Sequence, residues 1–175
     1  MKLVLPFFLL LGLSACASSI DGPSYIDVAP RFNLSEFFDG EVKAWGIVQN
    51  RSGNVVQRFI VDIKGTNVGK ITTLDETFHY GVGDGVKHRV WTITKQSPNR
   101  YTGTASDIAG EATAVVFGNA LNWQYEMDLP VGDKVYRVAF DDWMWTFNES
   151  TLMNRSYIRK FGMVMAEVTI FMQRQ

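Results

Sequence analysis

The chain has 175 residues, of which 17 are Lys or Arg and 18 are Asp or Glu, giving a formal net charge of −1 at pH 7. This balance, without a cluster of basic residues, gives no support for a nucleic-acid partner or for electrostatic docking on anionic lipid. The length suits one domain with a sizeable core. A single cysteine has no partner for an intrachain disulfide, so packing alone must stabilise the fold.

The N-terminus has the pattern of a secretory signal peptide. Lys2 precedes an apolar run over residues 3–13, which is too short to span a bilayer. The run ends in Leu-Ser-Ala-Cys, which resembles the lipobox of bacterial lipoproteins, in which the cysteine is lipidated after cleavage. We therefore predict a signal peptide over residues 1–15 and lipidation of Cys16. An ordinary signal peptide cleaved near Ala15 is the alternative.

The residues after Cys16 predict how the domain is attached. Ala17 follows the cysteine, which by the usual sorting rule favours the outer membrane of a Gram-negative bacterium, with the domain facing the periplasm. Residues 17–31 are rich in Ser, Pro and Gly and lack a sustained period, so we predict a flexible tether with a reach of about 20 Å. The predicted layout is a lipidated N-terminus and tether over 16–33 and one domain over 34–175.

Apolar residues recur at every second position from residue 41 onward, which is the period of β-strands. In ALNWQYEMDL (120–129), large apolar residues alternate strictly with Asn, Gln, Glu and Asp. A helix cannot separate these residues into two faces, whereas a strand with one wet face can. Short turn signals rich in Gly, Asn and Pro separate the runs, as in hairpins between consecutive strands. Before them, NLSEFFDG (33–40) predicts one helical turn.

About ten strands in simple succession predict an all-β antiparallel meander. We expect it to close into a single barrel of about 8–10 strands, which removes exposed edges and leaves room for one small ligand. A transmembrane barrel would need an apolar outer band. Charged residues in the middle of predicted strands, such as Arg58, Asp62, Glu126 and Asp128, argue against it.

Six segments form a further pattern: AWGIVQNRSGNVVQRF (44–59), LDETFHY (74–80) with DGVKHRVW (84–91), GNALNWQYEMDLPV (118–131), FDDWMW (140–145) and NRSYIRKFGMVMAEVTIF (154–171). Together they resemble the bacterial lipoprotein family catalogued as domain of unknown function 3833, over nearly the whole chain after the signal. The resemblance implies a lipocalin-like (calycin-type) barrel, and members tend to be encoded beside enzymes that modify fatty acids. The family has no established activity, so no catalytic residue carries over.

Two adjacent carboxylates, Asp141 and Asp142, open the segment DDWMW (141–145). Adjacent residues of a strand point to opposite faces, so these carboxylates cannot converge on one substrate atom as a glycosidase pair does. Trp143 and Trp145 share the face of Asp141. If that face is inward, Asp141 needs a cationic or hydrogen-bonding partner. A structural role, a ligand contact and a catalytic role are all open for Asp141.

Glu76 and Arg89 are charges embedded in apolar faces. Glu76 alternates with Leu74 and Phe78, and Arg89 shares its face with Trp91. A salt bridge across neighbouring strands is one explanation. The other is an arginine that binds the head group of an acidic lipid through two hydrogen bonds.

Aromatic residues supply the strongest functional hint, with 12 Phe, 6 Tyr and 5 Trp. Several at alternate positions are predicted to line one apolar interior, which is either a packed core or a ligand cavity: Trp91, Trp123, Tyr125, Trp143, Trp145 and Phe147. The two histidines, His79 and His88, flank the turn GVGDG (81–85). They lack a third ligand with convincing spacing, so we predict no metal or other cofactor.

Three functions are compatible with these observations. The first is a non-enzymatic lipoprotein, held on the membrane by its lipid, whose barrel binds or carries a fatty acid or lipid. Its candidate contacts are Arg89, Glu76, Trp91, Trp123, Tyr125, Asp141, Trp143 and Trp145. The second is an enzyme that acts on modified acyl chains, with Asp141 or Glu76 as general base. The third is a structural or assembly lipoprotein with a filled core.

Overall fold

The computed structural model describes residues 20–131 and 133–175. In this part of the chain, a turn of 3-10 helix (Gly22–Tyr25) and a single α-helical turn, α1 (Leu34–Phe37), precede ten strands. The strands are β1 (Gly40–Asn50), β2 (Val55–Val68), β3 (Ile71–Val82), β4 (His88–Ser97), β5 (Arg100–Thr104), β6 (Ile108–Phe117), β7 (Ala120–Val131), β8 (Lys134–Thr146), β9 (Thr151–Lys160) and β10 (Met163–Arg174). Among the described residues, no helix has the length and apolar character needed to cross a membrane.

Each strand pairs antiparallel with the next, and β1 pairs with β10, so the sheet closes into a barrel. The predicted all-β meander barrel is therefore confirmed. The segment that contains Asp141 and Asp142 lies within one continuous strand, β8. The strand continues because Asp142 keeps the antiparallel register, opposite Trp123 of β7 and Ser156 of β9.

The two faces of each strand follow from its alternation, as β2 shows. Phe59, Val61 and Ile63 are buried inside the barrel, whereas Arg58, just before them, and Asp62, between Val61 and Ile63, are exposed. Side chains at successive positions of a strand point to opposite sides, so the apolar set forms the interior and the charged set the outer wall. The alternation of apolar and charged residues along the strand therefore determines which side chains face the interior of the barrel.

Two interior glycines make room for large aromatic side chains. Gly46 of β1 lies opposite Phe59 of β2, and a side chain at position 46 would overlap the Phe59 ring. A side chain at Gly103 of β5 would overlap the ring of Trp123 in the same way. Each glycine thus lets an aromatic ring lie close against the barrel wall.

Residues of α1 and on either side of it close one end of the barrel. Leu34 and Phe38 are buried in the hydrophobic core. Phe38 packs so closely on Gly65 of β2 that any side chain at position 65 would overlap its carbonyl group. The amide of Phe32 donates a hydrogen bond of 2.8 Å to the carbonyl of Gly118. These contacts fix the chain across the barrel end and give it an apolar floor.

The 3-10 turn lies against the outer wall, in a segment that the sequence assigned to a flexible tether. The ring of Tyr25 lies 6.4 Å from that of Trp143 and 6.2 Å from that of Trp145, measured between centroids. Gly22 is buried on the ring of Phe117. The structure differs from the prediction here because outward-facing aromatic residues of β6 and β8 provide a surface on which this segment packs.

A candidate ligand-binding cavity inside the barrel

The barrel contains a cavity with a volume of about 400 Å³. The cavity extends from Leu34 and Phe38, at the end that α1 closes, to Asp84, Gly85 and Pro130 at the opposite end. Most of its wall consists of apolar side chains at the inward positions of the strands. Its volume falls in the range of roughly 300–1,000 Å³ that is usual for small-molecule sites. The interior is therefore a cavity and not a filled core.

Three of the predicted ligand contacts, Trp91, Trp123 and Tyr125, form an aromatic cluster in the cavity wall. The ring of Trp91 lies edge-to-face against both neighbours, with centroid distances of 5.4 Å to Trp123 and 5.5 Å to Tyr125. Tyr125 also stacks on Phe140 of β8 at 4.8 Å. These rings occupy inward positions of β4, β7 and β8, and they offer a ligand a large rigid apolar surface.

Arg89 of β4 also lines the cavity, where it forms a salt bridge with Asp107 from the connection between β5 and β6. Its Nε and Nη2 atoms both donate hydrogen bonds to Asp107 Oδ2, at 2.9 and 2.6 Å. The side chains are only 14% and 23% exposed, so solvent screens this pair weakly. Asp107 was not predicted, because it lies in a turn outside any alternating run.

Glu76 of β3 lies directly opposite Arg89 in the antiparallel register. Its Oε2 atom is 4.0 Å from Arg89 Nη1, so a salt bridge across neighbouring strands is present, as the sequence suggested. Burial raises the pKa of Glu76 to about 7. The charge of Arg89 opposes this rise in pKa, whereas the charges of Asp107 and Asp142 add to it.

Asp142 of β8 is a further carboxylate in the cavity wall, and it is only 7% exposed. Its Oδ1 atom has no hydrogen-bond partner among the described residues. Burial raises the pKa of Asp142 to about 7, although the neighbouring hydroxyls of Ser156 and Tyr125 favour the charged form. A buried polar atom without a partner costs free energy. Because Asp142 lines the cavity, a hydrogen-bond donor on a ligand that contacts this side chain would offset that cost.

The structure corrects the predicted facing of β8. Phe140 and Met144 line the cavity together with Asp142. Four residues assigned to the interior do not line the cavity: Asp141, Trp143, Trp145 and Phe147. The prediction that the aromatic face of this segment is inward is wrong, because the 3-10 turn covers that face from outside and shields it from water.

Asp141 has several protein partners on the outer wall. Its Oδ1 atom accepts hydrogen bonds from the side-chain amides of Asn122, at 2.7 Å, and Gln124, at 3.3 Å. Arg159 lies 3.8 Å from its other carboxylate oxygen. The partner predicted for Asp141 therefore exists, but on the outer face of the barrel.

The two histidines each pair with an aspartate on the exposed surface. His79 Nε2 lies 2.9 Å from Asp62 Oδ2, and His88 Nε2 lies 2.8 Å from Asp75 Oδ1. Within residues 20–131 and 133–175, no three His, Cys, Asp or Glu side chains form a group that could hold a metal ion. Cys16, the predicted lipidation site, lies outside the described residues.

An antiparallel meander of ten strands closed around an apolar cavity defines a lipocalin-like barrel of the calycin type. The chain belongs to the family described as "Protein of unknown function (DUF3833)", whose model matches residues 10–174. The resemblance inferred from the sequence segments is thus confirmed, for the family and for the barrel.

A solved structure with a similar fold is the S-type phycobiliprotein lyase CPES from Guillardia theta. The two chains share 11% sequence identity and superpose with a TM-score of 0.57, over 81% of this chain and 91% of the lyase chain. At this identity the likeness concerns the fold alone. No curated protein matches the sequence.

Proposed function

We propose that this protein is a lipid-anchored lipoprotein that binds or carries a small hydrophobic ligand of the lipid class inside its barrel. The observation that carries the proposal is the cavity of about 400 Å³, with Trp91, Trp123 and Tyr125 in its wall. An apolar chain that enters the cavity leaves water, which contributes about 0.8 kcal/mol for each buried CH₂ group. Arg89, Glu76 and Asp142 supply the few polar groups that orient ligands in such sites.

A filled core would have favoured the assembly alternative, and the cavity of about 400 Å³ supports ligand binding instead. Ligand binding also accounts for the placement of charged groups inside an apolar wall. A purely structural barrel gains little from burying Glu76 and Asp142, because each buried carboxyl costs free energy unless it is fully paired.

Two matched substitutions in β1 test whether the cavity binds the ligand. Val48 lines the cavity, whereas its neighbour Ile47 lies on the outer wall. In the mature chain with Cys16→Ser, which carries no lipid, Val48→Trp fills part of the cavity. We expect it to weaken the binding of dodecanol by at least about tenfold, and Ile47→Trp to leave it unchanged. Titration calorimetry measures the affinity, and circular dichroism checks the fold.

Native mass spectrometry of the protein purified from bacterial extract provides a second readout. The proposal predicts a co-purifying lipid that is lost from the Val48→Trp variant. A wild-type chain that carries no lipid and binds none of the added probes would contradict the proposed function.

The proposed anchor is a lipid on Cys16 at the periplasmic face of the outer membrane, and its support is the Leu-Ser-Ala-Cys motif. We expect the N-terminal peptide of the protein from outer-membrane fractions to begin at Cys16 and to carry the added mass of acyl chains. An unmodified peptide that begins at another residue would show that the anchor is absent.

Acid–base catalysis on a bound acyl chain is a second candidate, favoured by one observation. Glu76 and Asp142 both line the cavity, and burial raises the pKa of each to about 7. A pKa near the working pH suits a general acid or base. Mass spectrometry of the bound lipid before and after incubation separates the two functions. A lipid altered by the wild type but not by Glu76→Gln favours catalysis, and an unaltered lipid favours carriage.

A further inference from the structure

The polar part of the cavity contains more carboxyl groups than cations. Arg89 is the one Lys or Arg side chain in the cavity wall that the structure describes. Three carboxyl groups surround it or lie close by, and their charges act on one another: Glu76, Asp107 and Asp142. With all four groups ionised, this region carries a net negative charge.

Two of the three guanidinium nitrogens of Arg89 already donate hydrogen bonds to a protein carboxylate. Asp107 accepts hydrogen bonds from Nε and Nη2, and Glu76 lies 4.0 Å from Nη1. A ligand carboxylate that approached the remaining nitrogen, Nη1, would lie beside Glu76 and Asp107, both of which are largely shielded from solvent. It would also bring a further negative charge into a region of low dielectric constant. The arrangement therefore disfavours an anionic ligand head group.

Asp142 is different from Glu76 and Asp107, because no described cation forms a salt bridge with it and its buried Oδ1 atom lacks a hydrogen-bond partner. It is 7% exposed, and no described residue donates a hydrogen bond to its Oδ1 atom. It lies opposite Trp123 in the register and lines the cavity beside the aromatic cluster. The complement of a buried, unpaired acceptor is a hydrogen-bond donor.

We propose that the ligand is an apolar chain that ends in a hydrogen-bond donor, namely a hydroxyl, an amide N–H or an amine, and that Asp142 accepts the hydrogen bond from it. The apolar chain lies along the aromatic cluster, and a free carboxylate is disfavoured as the head group. This inference rests on the proposed function, which it narrows to a class of ligand.

Three probes with the same alkyl chain test the head group: dodecylamine, dodecanol and dodecanoate. Each is titrated into the mature chain with Cys16→Ser, below the concentration at which it forms micelles. The pH is about 8.5, above the pKa of about 7 of Glu76 and Asp142, so that both carboxyl groups are ionised. We expect dodecylamine and dodecanol to bind more tightly than dodecanoate, the amine by about tenfold or more, because hydrogen bonds to a charged acceptor are the strong ones. Tighter binding of dodecanoate would overturn the inference.

The neighbouring aspartates provide the test variant and its matched control. Asp142→Asn keeps the shape of the side chain and removes the charged acceptor from the cavity. Asp141→Asn makes the same change on the outer wall. We expect Asp142→Asn to reduce the ratio of dodecylamine to dodecanoate affinity by about tenfold, and Asp141→Asn to leave the ratio unchanged.

The outcomes separate this inference from the proposed function. Binding of no probe at all contradicts the proposed function itself. Equal binding of all three probes, or an affinity ratio that Asp142→Asn does not change, contradicts only the donor head group. If Asp142→Asn fails to fold, the order of affinities of the three probes for the parent chain still tests whether the ligand ends in a hydrogen-bond donor.

Discussion

Asp141 and Asp142 are neighbours in one strand, yet they occupy opposite environments. Asp141 lies on the outer wall, where Asn122, Gln124 and Arg159 surround its carboxylate. Asp142 lies in the cavity wall with one oxygen that no described residue satisfies. Identical side chains one residue apart thus have different chemistry, because the wall of the barrel separates them. The carboxylate on the outer face has several partners, whereas the one on the inner face has an oxygen without a partner among the described residues.

The largest expected effect comes from comparing an inner ion pair with an outer one. Arg89→Met leaves Asp107 and Glu76 buried without their cation, so we expect the free energy of unfolding to fall by about 3 kcal/mol or more. Arg137 forms the matched outer pair with Asp128, where both side chains are about half exposed. Arg137→Met should change the stability little, because water screens that pair.

Urea denaturation of the two arginine variants measures this difference. Equal losses of stability would mean that the inner and outer faces are electrostatically alike, which would remove the basis of the comparison.

A smaller effect, which depends on pH, is expected from Asp142→Asn. The folded state raises the pKa of Asp142 from its ordinary 3.8 to about 7, so between these values the folded chain holds a proton that the unfolded chain releases. Stability therefore falls as pH rises through this window, and it is greatest below the lower value. Asparagine has no proton to lose. The variant should gain stability over the parent across the window, by roughly 2–4 kcal/mol.

The free energy of unfolding is measured from pH 4 to pH 8 for the parent and for Asp142→Asn. The difference between the two values is then plotted against pH. Charged and titratable groups around Asp142 also contribute to each curve, namely Glu76, Arg89, Tyr125 and Asp141, but the subtraction removes most of their effect. The control Asp141→Asn reports what the loss of an outer, well-partnered carboxylate contributes. If Asp142→Asn and Asp141→Asn change the free energy of unfolding in the same way at every pH, burial does not give the two aspartates different pKa values.

The smallest expected effect concerns the outer face alone. Tyr25→Ala removes the ring that covers Trp143 and Trp145, so we expect a loss of about 1–2 kcal/mol in stability. The affinity for dodecanol should not change, because these residues lie outside the cavity. Chemical denaturation and calorimetry on the same preparation check both statements. A loss of affinity without a loss of stability would place this segment in the binding site.

The fold could be predicted from the sequence because the period of two continues through most strands. The inward positions of Glu76, Arg89 and Trp123 follow from their apolar neighbours on the same face. These are the positions at which one face of a strand is apolar and the other is wet, so the pattern alone decides the orientation.

The facing of β8 could not be predicted in this way, since both of its faces carry large apolar residues. Which face is inward depends on tertiary contacts, here the 3-10 turn that packs on Trp143 and Trp145 from outside. Asp107 was missed for a related reason, because a turn residue has no face that a periodic pattern can reveal. The cavity volume depends on how rings such as Trp123 pack on Gly103, which composition does not specify.

The central claim, that the ligand lies inside the barrel, is tested most directly by fluorescence quenching with a bromine-substituted dodecanol. Of the 5 tryptophans, Trp91 and Trp123 line the cavity, and Trp143 and Trp145 lie on the outer wall. We predict strong quenching in the parent chain and in the double variant Trp143→Phe/Trp145→Phe. The double variant Trp91→Phe/Trp123→Phe should bind the probe by calorimetry but show little quenching. The reverse pattern, with quenching lost only when the outer tryptophans are replaced, would place the ligand outside the barrel and contradict the account.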